Sequence, residues 1–110
     1  MSGQSFEAYV KEHIFDPLGM TQTTFLAQDV DPALLVSPHM PDQTGQIIVP
    51  SFVPYSRTHA PSKTLFTNLE DMARYAIAQL NGGELEGVRI LDNAAYNELW
   101  QTNGETWLPP

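Results

Sequence analysis

Cysteine is absent from this 110-residue chain. That excludes disulfides, thiolate nucleophiles and cysteine-ligated zinc. It leaves the cellular compartment open. Basic residues are few: five Lys and Arg stand against 13 Asp and Glu, giving a net charge of -8 and a pI near 4.5. Such a balance repels phosphate backbones and argues against nucleic acid as a partner. Arg57, Lys63, Arg74 and Arg89 are scattered and form no basic run. The acidity reads as an ordinary solvated surface. No apolar stretch reaches the roughly 18 residues that a membrane span needs. Met1-Ser2-Gly3-Gln4 lacks the basic start and apolar run of a signal peptide. It is compatible with a start placed on a fragment of a longer protein.

What is present suits one small domain. A chain of this length buries roughly 60–70% of its unfolded surface, so its core is thin. The 42% hydrophobic content argues against full disorder. Nine prolines and seven glycines imply much loop.

Ser5 is a candidate N-cap. Phe6, Tyr9, Val10, His13 and Ile14 follow at helical spacing, with Glu7 and Lys11 as an i,i+4 pair on the other side. Pro17 ends that helix near Phe15. Leu18, Met20 and Phe25 are expected to tuck onto the core, with Gly19 permitting the turn. Residues 26–45 read as loop, with a short turn opened by Asp31-Pro32. Gln46–Val49 is the best strand candidate, and residues 50–64 form a proline-punctuated loop. The strongest element starts at a capping box, Thr67-Asn68-Leu69-Glu70. Leu69, Met72, Ala73, Ala76, Ile77 and Leu80 mark its apolar stripe, and Gly82-Gly83 stops it. After a connector, Leu85 to Leu91, Asp92 caps a last helix over 93–101. That helix is expected to bury Ala95, Tyr96, Leu99 and Trp100, with Trp107 on an exposed tail.

These pieces stand in a recognisable order. Ser2-Gly3 precedes an aromatic-led helix, Phe6 to Phe15, and then Pro17-Leu18-Gly19-Met20 with Thr24-Phe25. Pro38-His39 follows, then Ala60 through Arg74 with its Asp71-Met72-Ala73-Arg74, then Leu80-Asn81-Gly82-Gly83 and Ile90-Leu91. The order resembles the serine β-lactamase and penicillin-binding-protein-like hydrolases, especially their class C β-lactamase and esterase-like branch. It covers nearly the whole chain. One departure is Ser62-Lys63-Thr64, where the family usually has Ala-Gly-Gly. Thr67-Asn68 likewise replaces the usual Ser-Thr.

The chemistry of such a hydrolase needs a serine with a lysine one helical turn later. None of Ser2, Ser5, Ser37, Ser51, Ser56 and Ser62 has it. Tyr9, Tyr55, Tyr75 and Tyr96 all fail a Tyr-x-Asn pattern. Lys63-Thr64 is followed by Leu65, so it is not a Lys-Thr-Gly strand. Ser, His and Asp all occur, which leaves a triad open by counting, but no Gly-x-Ser-x-Gly elbow supports one. His13, His39 and His59 lack metal-ligand spacing. His13 reads as a flank of the first helix and His39 as a structural hydrogen-bonder. Adjacent Glu70 and Asp71 point about 100° apart on a helix, so capping and a link from Asp71 to Arg74 are the better reading.

The expectation is therefore a mainly α chain with little β, residues 1–110 forming the helical portion of an α+β β-lactamase/transpeptidase-like fold. Its catalytic strands and nucleophile helix would lie in other polypeptide. No catalytic residue, cofactor or metal site is assigned. By the resemblance, Lys63 and Thr64 lie at the rim of the substrate cleft, with a surface loop as the alternative. The implied partners are the rest of the parent hydrolase domain and a small acyl substrate. A periplasmic or secreted location is implied by the resemblance alone. A non-catalytic helical interaction module, self-associating through apolar helix faces, is the second expectation.

Overall fold

The computed structural model describes residues 2–50 and 55–101. The expectations for Trp107 and for residues 51–54 of the proline-punctuated loop lie outside the described residues. Helix α1 is Phe6–Val10 and runs into a π-helical turn, Lys11–Phe15. Ser5 caps it, accepting from the Ala8 N–H at 3.3 Å. The wide turn is closed by the Asp16 N–H on the Lys11 carbonyl. It leaves His13 exposed and buries Phe15. His13 lies against Tyr9, with ring centroids 4.2 Å apart. The expected Glu7–Lys11 pair does not form. Lys11 pairs with Asp16, and Glu7 reaches Arg57 across the fold.

Pro17-Leu18-Gly19-Met20 then turns back under the helix. Leu18 is fully buried, and Phe15, Met20, Ala78 and Leu85 complete the core around it. Burying a leucine of this kind contributes about 1.5–3 kcal/mol. Strands β1 (Met40–Pro41) and β2 (Ile47–Ile48) form an exposed hairpin; β2 falls within the strand expected at Gln46–Val49, and its partner β1 lies in the segment expected to be loop. Asp42 organises its turn, accepting from the Thr44 hydroxyl and from the amides of Thr44 and Gln46. The Thr44 hydroxyl is the main reason its carboxyl is held below the ordinary range.

A 3₁₀ turn at Arg57–His59 leads into the short helix α2, Ala60–Lys63. Helix α3, Leu69–Leu80, is capped by Asn68, whose side chain accepts from the Asp71 N–H at 2.8 Å. The cap is thus one residue later than the expected Thr67 box. The Thr67 hydroxyl is occupied elsewhere, 2.8 Å from that of Thr23.

The face that α3 buries is the main correction to the sequence reading. Asp71, Arg74, Tyr75 and Ala78, at i, i+3, i+4 and i+7, face the core. The apolar stripe points outward: Leu69 is 86% and Leu80 84% exposed, with Met72, Ala73, Ala76 and Ile77 also exposed. The reason is polar. Asp71 Oδ2 accepts from the Gln22 N–H at 2.8 Å and from the Thr23 hydroxyl at 2.7 Å. Arg74 donates to the Leu18 carbonyl and, at 3.1 Å, to Glu86. No Asp71–Arg74 link forms. Gly19, at φ +68°, lies flat against the Arg74 guanidinium, and a Cβ there would come within 3.2 Å of Nη2.

Gly82 and Gly83 end α3 with positive φ, as the paired glycines imply. The expected connector is a hairpin, β3 (Glu84–Leu85) with β4 (Val88–Arg89). Its two-residue turn has positive φ at both Glu86 and Gly87, the conformation that suits the twist of a hairpin. Asp92 caps helix α4, Asn93–Trp100, accepting from the Ala95 N–H at 2.7 Å. Of the four α4 residues expected to be buried, only Tyr96 is partly covered, its hydroxyl donating to the Gln79 carbonyl. Ala95, Leu99 and Trp100 are exposed. The radius of gyration, 17.6 Å, exceeds the roughly 13 Å of a closed domain of this length. The shared core is small, and many large apolar side chains stay outside it.

The Asp71 contacts can be tested by mutation. Asp71→Ala removes the acceptor of the buried Thr23 hydroxyl and of the Gln22 amide. It is expected to cost about 1–3 kcal/mol, read as a lower urea midpoint. Thr23→Val should cost less and be non-additive with it. Additive effects would show that the two groups do not act as a pair.

Candidate functional site

The candidate site is built where the segment after α1 meets the segment before α3. Thr24 and Phe66 exchange both backbone hydrogen bonds, at 3.0 and 2.8 Å. This short antiparallel bridge fixes residues 21–25 beside residues 64–67. A second wall comes from the 3₁₀ turn at Ala27–Asp29 and the turn that follows it. There the Asp31 side chain accepts from the Ala33 N–H, and the Leu34 N–H bonds to the Asp31 carbonyl. The Asp31-Pro32 turn is thus formed as the sequence implies.

Two cavities open between these walls. One, of about 630 Å³, is bordered by Thr21 to Thr24, Asp29, Asp31, Thr67 and Asn68. The other, of about 340 Å³, is bordered by Val30, Leu35, Tyr55, Lys63, Thr64 and Phe66. They share Val30, Leu35, Val36, Leu65 and Phe66, so they form one trough with a polar and an apolar end. Both volumes fall within the roughly 300–1,000 Å³ usual for small-molecule pockets.

Lys63 and Thr64 both line the apolar end, in different ways. Lys63 is exposed at the C-terminus of α2. Thr64 is buried, its hydroxyl set between the carbonyls of Ala60 (3.4 Å) and Phe25 (3.5 Å). The Tyr55 hydroxyl donates to the same Phe25 carbonyl at 3.1 Å. Thr64 therefore presents its apolar side while its polar atom ties two segments together. Ser62 is exposed, its hydroxyl donating to the His59 carbonyl at 3.2 Å.

The sequence reading missed Val30, Leu35, Val36 and Tyr55 as cavity walls. Only the Asp31-Pro32 turn signal hinted at their placement, and a turn signal does not say what the turn faces.

At the polar end, Thr23, Thr67 and Asp71 form a chain of hydroxyl and carboxylate contacts. Its members hydrogen-bond one another, and among the described residues no basic group hydrogen-bonds to either hydroxyl, so it supports the walls. The histidines stay apart. His39 has Nδ1 3.1 Å from the Ser37 carbonyl, as a structural role implies, and His59 lies exposed in the 3₁₀ turn. Among the described residues, no group of three His, Asp or Glu could hold a metal ion, and no helix is long and apolar enough to cross a membrane.

Glu7 braces the segment that carries Lys63. Arg57 meets it with two bonds, Nε at 2.7 Å and Nη2 at 3.1 Å. This bidentate contact, followed by the Glu7 backbone amide and the Ser5 hydroxyl, lowers the Glu7 carboxyl from 4.5 to about 2. The contact joins α1 to the residues that lead into α2.

A family model described as Beta-lactamase matches residues 1–110, the whole chain. No curated protein matches the chain.

The pH dependence follows from the Glu7 shift. A carboxyl whose folded value lies below its unfolded one stabilises the fold fully above the unfolded value. That contribution is lost as pH falls from 4.5 toward about 2. Glu7→Gln should therefore flatten the acid limb of thermal stability in that window. The carboxyl shift of Glu7, followed by NMR, should have its midpoint near the lower value. A midpoint at the ordinary value would show that the Arg57 contact is not held in solution.

Proposed function

This chain belongs to the Beta-lactamase family, within the serine β-lactamase and penicillin-binding-protein-like superfamily. We propose that it forms one wall of the substrate cleft of a serine acyl hydrolase, with the nucleophile supplied by other polypeptide. In this reading it is the helical portion of an α+β fold. The outer face of α3 packs on further structure, and Lys63 and Thr64 lie at the cleft rim. The observation that carries the reading is the apolar stripe of α3. Leu69, Met72, Ile77 and Leu80 are exposed on a helix whose opposite face is held by polar contacts. Such a stripe is costly in water unless something covers it.

The absence of Ser-x-x-Lys, Tyr-x-Asn and Lys-Thr-Gly from a chain that matches the family end to end supports the same reading. The reaction of the complete enzyme has two steps. A serine oxygen adds to an amide or ester carbonyl, a nearby lysine helps take its proton, and the amine or alcohol leaves. Water then adds to the acyl-serine ester, and the acid departs as the serine hydroxyl is restored. Fold does not decide among β-lactam, peptidoglycan peptide and simple ester.

A second reading is a non-catalytic helical interaction module. The same exposed stripe favours it, because two copies could cover each other's α3.

Four measurements test these readings. The coding sequence on either side should hold Ser-x-x-Lys and Tyr-x-Asn upstream and Lys-Thr-Gly or His-x-Gly downstream. The 110-residue chain should not turn over a chromogenic β-lactam or ester, and saturable, serine-dependent hydrolysis would overturn the proposal. In a longer polypeptide with the serine, Lys63→Ala should change selectivity among acyl substrates more than it changes thermal stability. Concentration-dependent dimerisation abolished by Leu80→Glu would favour the module instead.

A further inference from the structure

The chain has five cations. Four are paired: Lys11 with Asp16, Arg57 with Glu7, Arg74 with Glu86, and Arg89 with Glu84. Lys63 is the fifth, and among the described residues no carboxylate lies within ion-pair reach of it. In a protein with net charge -8, acidic partners are plentiful, so a cation without one among the described residues is informative. It borders the more apolar of the two cavities.

The other polar groups there are already committed. The Tyr55 hydroxyl donates to the Phe25 carbonyl, and the Thr64 hydroxyl faces the carbonyls of Ala60 and Phe25. The rest of the lining is largely aliphatic or aromatic, with Val30, Pro32, Leu35 and Phe66 among it. A ligand entering this space meets apolar surface on most sides and one uncommitted positive charge at the edge.

We infer that this cavity binds an amphiphilic monocarboxylate, its apolar body between Val30, Leu35 and Phe66 and its carboxylate on the Lys63 ammonium. A neutral apolar molecule would gain the same burial without the charge contact. A polyanion would find a single cation in a repelling field. The cavity volume, about 340 Å³, is at the small end for ligand pockets, which suits a short aliphatic or single-ring acid. As a statement about the reaction, the inference rests on the cleft-wall reading and names the class of acid that hydrolysis releases. As a statement about binding, it rests on the cavity and Lys63 alone.

The test uses the 110-residue chain, isotope-labelled, titrated with octanoate and with octanol. Octanoate should shift the amide signals of Val30, Leu35, Lys63 and Leu65 saturably. Lys63→Gln should weaken octanoate by up to about fivefold, the scale of an exposed charge pair. Lys63→Arg should restore it, and octanol should be indifferent to either change. Lys63 is exposed, so these variants keep the fold. Shifts confined to Leu69, Ile77 and Leu80 of α3, or octanoate binding unchanged in Lys63→Gln, would overturn the site. If octanoate binds as described but Lys63→Ala leaves acyl-substrate kinetics of a longer polypeptide unchanged, the binding site stands and the cleft-wall reading fails. If selectivity changes without octanoate binding, the reverse holds.

Discussion

The Asp71 carboxylate is the contact on which the arrangement depends. It sits in the first turn of α3 and is 4% exposed. One of its oxygens accepts from the Gln22 amide and the Thr23 hydroxyl, two groups on a segment nearly fifty residues earlier. A buried carboxylate without such donors would be strongly destabilising. The requirement to satisfy it therefore sets which face of α3 turns inward. Arg74, one turn on, strengthens the choice by donating to the Leu18 carbonyl beneath Gly19. Together they hold the Leu18-Gly19-Met20 turn against the helix, and Leu18 and Met20 then meet Ala78 and Leu85 in the core. The two sequence signatures that carry the family resemblance are thus two halves of one contact.

This polar docking explains an arrangement that hydrophobicity alone would not produce. Amphipathic helices ordinarily bury their apolar stripe. Here the inward face is Asp71, Arg74, Tyr75 and Ala78, and the stripe from Leu69 to Leu80 is left outside. Leu99 and Trp100 on α4 are also exposed. A helix of this kind has two faces to satisfy, one by specific hydrogen bonds within the chain and one by apolar contact with something further. The cleft-wall proposal and its interaction-module alternative differ only in what supplies that second contact.

The same docking builds the trough. Once Gln22 and Thr23 are held at Asp71, the next residue, Thr24, pairs with Phe66. Residues 64–67 then face the turns at 27–34 across a gap. Arg57 and Glu7 brace the approach to α2 from the other side. Lys63 arrives at the edge of the gap with no carboxylate partner among the described residues, while Lys11, Arg57, Arg74 and Arg89 are each engaged. Its position depends on contacts made by residues some distance along the chain, and its charge is what would give the apolar end a chemical preference.

Local chemistry was legible in the sequence. Ser5 and Asp92 act as caps because a short polar side chain before a helix reaches free amides wherever it occurs. Pro17 and the paired glycines mark ends because their backbone limits need no partner. The absent Ser-x-x-Lys could be read directly, as could the family order that a model match over residues 1–110 supports. Choices between local solutions were not legible. Glu7 could pair with Lys11 or Arg57, and Thr67 or Asn68 could cap α3. Glu86-Gly87 could be coil or a hairpin turn, since glutamate at positive φ carries no strong turn signal. Amphipathic periodicity identified the stripe of α3 but not whether this chain would cover it. Sequence alone thus determined the three main helices and their stops at Pro17 and Gly82-Gly83, because these follow from side chains acting within a turn or two, whereas the short α2 fell in a segment read as loop. Only tertiary structure decided which helix face is buried and where Lys63 stands, because both depend on donors and acceptors that folding brings together from distant residues.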